Sequence, residues 1–335
     1  MNSIPITFSG SLPSYTVVGG KNRNASTGLS AVVLYRGNRT SRFVMFEELG
    51  KQGFDYVISL ETGIRHHDIE GLSDSFPFVR FLFIKELLSP GEEINIAARE
   101  LSSPLFFVLW NDLRIIRSGG AERIAEKIFL SPKEMVKNPE RQSPIARLCT
   151  VPVIQNKRFE TMPTLASPAM IKGKFRTLHS VPSREAQFSV YPFDGLGIYD
   201  RERFIRLGGF DNSIKNFHWQ LLDFGFRSFL WGEEIAAVQT LRLAYEQEAP
   251  EEDSSADENY RRFFLKNLAP VFRGEYANIP LRRFPKYLLR SRRGVFAAWQ
   301  EFAEARRWID SNCRCFRTDG RLLIDTWKYS DEEAR

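Results

Sequence analysis

Short runs rich in β-branched and aromatic residues recur through the first 240 residues: YTVV at 15–18, FDYVISL at 54–60, FVRFLFI at 78–84 and PLFFVLW at 104–110. Length and composition make each of them a predicted strand. Between them lie segments of helical period, SRFVMFEELGKQ from Ser41 and GEEINIAARELSS from Gly91; in the second, Ile94, Ala97, Ala98 and Leu101 fall on one face. Strands alternating with helices predict an α/β fold with a mainly parallel, Rossmann-like sheet covered by helices. Ligands of such sheets bind beyond the carboxyl ends of the strands, so the segments GGKNRN, ETG and WNDL are where chemistry is expected.

The pattern changes after residue 245. The stretch 246–258, EQEAPEEDSSADE, carries seven acidic residues and no basic one, as a solvated linker or exposed loop would. Residues 259–335 hold seventeen Lys and Arg against nine Asp and Glu, whereas the whole chain is only +6. The basic excess therefore lies in the tail. This divides the chain into a catalytic-sized domain over 1–245, the acidic linker or loop over 246–258, and a basic, mostly helical extension over 259–335. Within that extension Arg282, Arg283, Lys286, Arg290, Arg292 and Arg293 alternate with Phe284, Tyr287, Leu288 and Leu289. Such a stretch, 282–293, suits either an anionic membrane surface or polyanionic partner, or a solvated helical face packed on the main domain.

Composition narrows the class. With 43% hydrophobic and 26% charged residues the chain has ordinary globular usage. Three cysteines, Cys149, Cys313 and Cys315, do not make a disulfide framework, which predicts free thiols and a reducing, cytoplasmic setting. The opening residues lack the basic and apolar regions of a secretory signal. The apolar runs from Phe76 and Pro104 fall short of the ~20 residues that cross a bilayer. The basic tail carries no named nucleic-acid signature, so no nucleic-acid partner is expected.

Three segments in order, over roughly residues 14–240, resemble the inverting family-2 glycosyltransferases and related galactosyltransferase-like proteins of the GT-A class. YTVVGGKNRN with YVISLETG resembles the opening strand, turn and second strand that cradle the nucleotide; the paired aspartates that usually end the second strand read Leu60 and Glu61 here. INIAARELSSPLFFVLWND resembles the helix and strand that end in an Asp-x-Asp motif, whose two carboxylates hold Mn²⁺ or Mg²⁺ against the donor diphosphate. Here the positions are Trp110, Asn111 and Asp112, so one carboxylate survives. GLGIYDRERFIRLGGFDNSIKNFHWQLLDFGFRSFLWG resembles the family's Gly-Gly-Phe-Asp stretch: Gly208, Gly209, Phe210, Asp211, Asp223 and Arg227 match, while the acidic pair that supplies the general base falls on Gln220 and Leu221, neither of which accepts a proton at neutral pH.

The resemblance implies transfer of a sugar from a nucleotide-sugar donor to a glycan or glycolipid acceptor with inversion, by a hexosyltransferase type of enzyme; the basic tail would hold it near the inner membrane face or on an anionic acceptor. With three acidic positions lost together, a catalytically inactive binding or scaffold protein on the same fold is the alternative. Donor-binding candidates are Gly19, Lys21, Arg23, Glu61, Arg99, Asn111 and Asp112, the basic ones because Arg and Lys meet phosphate oxygens. Candidates for chemistry are Asp112, Asp194, as a replacement base or a simple turn residue, and Asp223. A divalent metal, doubtful without the first aspartate, would rest on Asp112 with the Asn111 carbonyl and His218, which is otherwise structural. His66, His67 and Asp68 offer ligand chemistry but read as an exposed loop. Metal-independent binding of the diphosphate by basic side chains is the corollary of the lost aspartate.

Overall fold

A computed structural model describes residues 13–37, 41–62, 69–117, 120–128 and 147–332. The runs of β-branched and aromatic side chains pair because only a sheet lets them bury both faces. Strands β2 (Leu29–Leu34), β3 (Val57–Thr62), β4 (Val79–Ile84) and β5 (Leu105–Trp110) are parallel, in spatial order β4-β3-β2-β5. Every residue of β2 and β5 is buried.

Around this parallel centre the sheet extends to nine strands. On one side β1 (Tyr15–Gly19) runs antiparallel to β4, Tyr15 facing Ile84 and Gly19 facing Arg80. On the other side β10 (Gly197–Asp200) is antiparallel to both β5 and β7 (Cys149–Gln155); β11 (Ile235–Tyr245) follows, parallel to β7, and β6 (Leu113–Arg117) closes the edge antiparallel to β11. A separate hairpin joins β8 (Leu165–Ile171) to β9 (Lys174–Ser180).

Helices α1 (Arg42–Lys51), α2 (Ile69–Ser75), α3 (Pro90–Glu100) and α4 (Ala121–Ile128) connect the first strands, and α5 (Arg201–Leu207) and α6 (Phe217–Leu230) link β10 to β11. Helix α3 starts sharply because Ser89 and Glu92 form a capping box and Pro90 occupies the first turn. At the end of α5, Gly208 (φ 90°) is the left-handed cap and Gly209 (φ 61°) turns the chain so that Asn95 both accepts from the Phe210 N–H and donates to its carbonyl, at 2.8 and 2.9 Å. The Gly-Gly-Phe-Asp stretch is thus a cap that locks α5 to α3.

The resemblance makes YTVV the opening strand of the parallel sheet and gives LSAVVL no part in it. The register corrects this: β2 is the opening central strand, and YTVV is the antiparallel edge strand. Both have the same local composition, and only the pairing partner distinguishes them.

The C-terminal helices are α7 (Glu258–Phe263, prolonged by one π turn, Phe264–Leu268), α8 (Phe284–Ser291), α9 (Val295–Asn312) and α10 (Gly320–Glu332). They share the core of the sheet body: Phe263, Leu265, Phe302, Ile309 and Trp327 belong to the same buried cluster as β2 and β5. The acidic stretch is docked on that body, with the Glu246 N–H donating to the Asp112 carbonyl at 2.9 Å and Tyr191 Oη donating to Glu252 at 2.8 Å. No helix among the described residues is long and apolar enough to cross a membrane.

Candidate functional site

Because β2 and β5 are parallel neighbours with Leu34 opposite Trp110, the residues that follow them leave the sheet side by side. Arg36 and Asp112 meet there. Arg36 Nε lies 2.7 Å from Asp112 Oδ2 and Nη2 3.1 Å from Oδ1, a two-pronged pairing. Asn111 Oδ1 accepts the Arg36 backbone N–H at 2.9 Å, which fixes the start of the prong.

The third member comes from a distant part of the chain. Asp194 has φ 54°, the left-handed region that side chains other than glycine's rarely enter, and this turn aims its carboxylate at Arg36. Arg36 Nη1 is 2.8 Å from Asp194 Oδ2. Tyr245, the last residue of β11, donates to the same oxygen at 2.8 Å, and Trp110 Nε1 holds the Asp194 carbonyl at 3.0 Å. The guanidinium also stands over the Trp110 ring, 4.4 Å from its centroid.

Electrostatics follow from this packing. Burial pushes the Asp194 carboxyl up to about 6, against the opposing pull of Arg36 and the Tyr245 hydroxyl. Burial lowers the Arg36 pKa, but the adjacent Asp194 and Asp112 charges more than restore it, so the guanidinium is held firmly protonated. The Tyr245 phenol is raised by burial and by the Asp194 charge, which keeps it a hydrogen-bond donor.

A second arginine repeats the device one strand over. Arg42, in the first turn of α1, ion-pairs with Glu61 on β3. Ser59 donates to Glu61 at 2.7 Å, Tyr35 Oη is 2.8 Å from Ser59 Oγ, and the Arg42 guanidinium lies 4.3 Å from the Tyr35 ring centroid. The two acids of the resemblance that stand at or just past the carboxyl ends of β3 and β5, Glu61 and Asp112, are therefore each neutralised by an arginine from the segment after β2.

This arrangement does not suit a divalent cation. Both oxygens of Asp112 and both of Asp194 face the Arg36 guanidinium, and the side-chain oxygen of Asn111 is engaged by a backbone N–H. His218 lies apart, buried on α6 against Tyr191 and Trp219 with Nδ1 3.5 Å from Glu252 Oε1. Among the described residues no group of three His, Cys, Asp or Glu is placed to hold a metal ion. The cationic centre between these carboxylates is a side chain.

The remaining candidates are distributed elsewhere. Gly19, Lys21 and Arg23 lie at the amino end of the parallel strands: Gly19 pairs with Arg80, Lys21 is 3.8 Å from Asp74, and Arg23 pairs with Asp55, which precedes β3. Arg99 is exposed in the last turn of α3, on the approach to the amino end of β5. Asp223 is fully buried with Arg227 at 3.0 Å, Lys266 at 3.0 Å and Asn267 at 2.8 Å. Gln220, at the position of the family's base, is fully buried too: its carbonyl accepts the Gly91 N–H at 3.2 Å, and its amide donates to Ser89 Oγ at 3.1 Å and the Asp211 carbonyl at 3.0 Å. His66, His67 and Asp68 lie outside the described residues.

Sequence reasoning missed Arg36, Arg42 and Glu93. The signal for the first was LSAVVLYRGN, a strand run followed at once by an arginine. Glu93, buried on α3, is pushed up to about 8 by burial, with the neighbouring Glu92 charge adding to it and a hydrogen bond with Thr62 at the end of β3 opposing it.

No protein-family model matches the chain, and no curated protein sequence matches it. Solved structures do match. GalNAc-T7 with UDP, GalNAc and Mn²⁺ superposes with a TM-score of 0.54 at 13% identity, over 91% of this chain and 57% of that one, so the chain spans little more than half of that structure's length. TarS 1-349 from S. aureus with UDP-GlcNAc gives 0.45 at 12% identity over 85% and 72% of the two chains. The mannosyltransferase PcManGT from Pyrobaculum calidifontis with GDP-Man and Mn²⁺ gives 0.41 at 10% identity over 94% and 78%. With its nine-stranded, centrally parallel sheet flanked by helices, the chain has the GT-A glycosyltransferase fold.

Proposed function

We propose that this protein is a nucleotide-sugar-dependent glycosyltransferase that receives the donor diphosphate on Arg36 rather than on a divalent cation. The observation that carries the proposal is the Arg36 guanidinium seated between Asp112 and Asp194 at the carboxyl ends of β2 and β5, where open α/β sheets bind their ligands. A guanidinium has five N–H donors, and Nε and one on each terminal nitrogen suffice for the two carboxylates; the others can reach phosphate oxygens. Its side chain is 24% exposed, open enough for such contact.

Asp194 serves as the base that takes the acceptor hydroxyl's proton, in the role that Gln220 cannot fill. A carboxyl near 6 is mostly ionised at neutral pH and basic enough to accept a proton in the transition state. Inversion follows from direct displacement by that hydroxyl. The acceptor is a glycan or glycolipid, the hexosyl donor a UDP-, GDP-, CDP- or dTDP-sugar, and the setting cytoplasmic.

The test is a thermal-shift series of UDP, GDP, CDP and dTDP, each in EDTA and in Mn²⁺, followed by measured consumption of the matching sugar nucleotide. A nucleotide at about 100 times its Kd adds ~2.7 kcal/mol of stability, and the shift is expected to be equal in EDTA. Loss of the shift in EDTA overturns the metal-free reading; absence of any shift overturns the donor. One observation favours a second reading, a donor-binding protein without transfer: Gln220 is wholly committed to holding α3 and the Asp211 turn. A nucleotide-dependent shift without turnover of the sugar nucleotide, in the presence of mixed glycan acceptors, selects it.

A further inference from the structure

The tip formed by α8 and the first turn of α9 combines exposed apolar side chains with unpaired positive charge. Helix α8 is oriented by what it buries: Tyr287 and Ser291 face inward, and Phe284 packs on Trp299 and Phe302 with ring centroids 5.1 and 5.4 Å apart. Lys286, Leu289 and Arg290 consequently face outward. Leu289 is 84% exposed. After the turn at Arg292–Gly294, α9 begins with Val295 and Phe296, and Phe296 is 91% exposed; Leu281 and Trp299 add half-exposed apolar surface on either side.

Single exposed apolar side chains are ordinary on a protein surface, but five within nineteen residues, two of them almost entirely in water, are a patch. The charge around it is one-sided. Arg293 is satisfied by Glu301 at 3.2 Å and Arg283 by the Ala269 carbonyl at 2.5 Å. Arg282, Lys286, Arg290 and Arg292 make no ion pair with a carboxylate among the described residues. Four uncompensated cations beside an apolar tip complement a surface that is negative outside and apolar beneath, which is an anionic bilayer. A soluble polyanion would satisfy the cations and leave Leu289 and Phe296 in water.

We propose that this tip docks the protein on an anionic lipid bilayer, with Leu289 and Phe296 inserted at the headgroup boundary and Arg282, Lys286, Arg290 and Arg292 on the phosphates. The proposal is independent of the donor site. It gives the basic stretch its function through the neighbouring apolar residues, and it chooses the membrane over the solvated face that the sequence also allowed.

The experiment is flotation of the full chain with phosphatidylcholine vesicles, with and without phosphatidylserine. The wild type floats with the anionic vesicles only, and less at high salt. Lys286→Gln and Arg290→Gln each lower the partition coefficient about fivefold, since a basic residue at an anionic surface is worth ~1 kcal/mol. Leu289→Ser with Phe296→Ser lowers it about tenfold or more through lost apolar insertion; both side chains lie in water, so circular dichroism and Tm should match the wild type. No flotation of the wild type overturns the proposal. So does a Leu289→Ser/Phe296→Ser variant that floats like the wild type, which makes the tip a polyanion site.

Discussion

Arg36 meets Asp112 side-on, Nε to Oδ2 at 2.7 Å and Nη2 to Oδ1 at 3.1 Å, while its remaining terminal nitrogen turns to Asp194. One guanidinium between two carboxylates leaves the group one negative charge when both are ionised, and neutral when Asp194 is protonated. Replacing Arg36 by Ala strands two acids together. Charge-assisted hydrogen bonds are worth ~1.5–3 kcal/mol, so nucleotide affinity in EDTA should fall about ten- to a hundredfold. The two freed carboxylates should then draw in Mn²⁺ and make binding metal-dependent. Calorimetric titration with and without Mn²⁺ reads both; an Arg36→Ala variant that binds as the wild type does in EDTA refutes the role of Arg36.

Asp194 should set the pH profile. Its folded pKa of about 6 lies above the ordinary 3.8, so the carboxyl is protonated in acid and ionised above neutrality. As a base it works only when ionised, and kcat/KM should rise through pH about 6 to a plateau. Stability moves the other way. Between the two values the folded state binds more protons than the unfolded state, so stability declines as pH rises through that window and is level above it. Asp194→Asn should flatten that decline and cut turnover by about 10²–10⁴, the usual worth of a positioned base. A variant that keeps its turnover and the same pH profile removes Asp194 from the chemistry.

Glu93 makes a purely thermodynamic prediction. Burial raises its carboxyl to about 8, so the folded state carries it protonated at neutral pH and must ionise it in alkali. Its contribution therefore declines as pH rises from its ordinary 4.5 towards about 8. Glu93→Gln, which can still accept a hydrogen bond from Thr62, should match the wild type near pH 4.5 and be the more stable of the two at pH 9. Urea midpoints across that range check it, and parallel curves for the two proteins contradict it.

Restoring the family's acid at position 220 should not restore an ordinary base. Gln220 donates to the Asp211 carbonyl at 3.0 Å, and in Gln220→Glu a carboxylate oxygen would face that carbonyl oxygen with no proton between them. A buried acceptor left opposed in this way costs about 1–3 kcal/mol. The expected outcome is a lower Tm with no gain in turnover of any sugar nucleotide. A gain in turnover would show that the position still faces the acceptor.

Much of the fold was legible because β3, β4, β5, α1 and α3 each carry their period in contiguous residues. β2 was missed since LSAVVL and YTVV are equally strand-like, and which of them enters the parallel centre depends on pairing with β3 and β5, a property of the whole sheet. The expected diphosphate contacts Lys21 and Arg23 lie instead at the amino ends of the parallel strands, beside Asp74 and Asp55. Asn111 and Asp112 were legible as an amide and an acid after a strand, and Asp194 as an acid before Gly195 in the segment resembling the acceptor contacts; the structure brings those three together on Arg36. Their common partner, Arg36, lies 76 residues before Asp112 and 158 before Asp194, separations across which no local pattern speaks.

Asp223 marks a different use of the same motif, and it yields the last prediction. Asp211 and Asp223 are buried with Lys266 between them, Nζ 2.6 Å from Asp211 Oδ2 and 3.0 Å from Asp223 Oδ1, and the ammonium lies 4.4 Å from the Trp308 ring centroid. Burial alone would raise the Asp211 carboxyl, yet Lys266 and Arg262 hold it well below the usual carboxylate range. The ion pair thus ties the sheet body to α7 and α9. Lys266→Met keeps the length of the side chain and removes the charge, leaving Arg262 as the cation on Asp211, beside the Ser213 donors, and Arg227 with Asn267 on Asp223. Breaking a buried pair by removing one partner costs about 3–5 kcal/mol. Chemical denaturation should show a loss of that order, and adding Asp211→Asn should recover part of it, because the uncompensated charge disappears. A Lys266→Met protein as stable as the wild type would mean that Arg262 and Arg227 alone balance both acids.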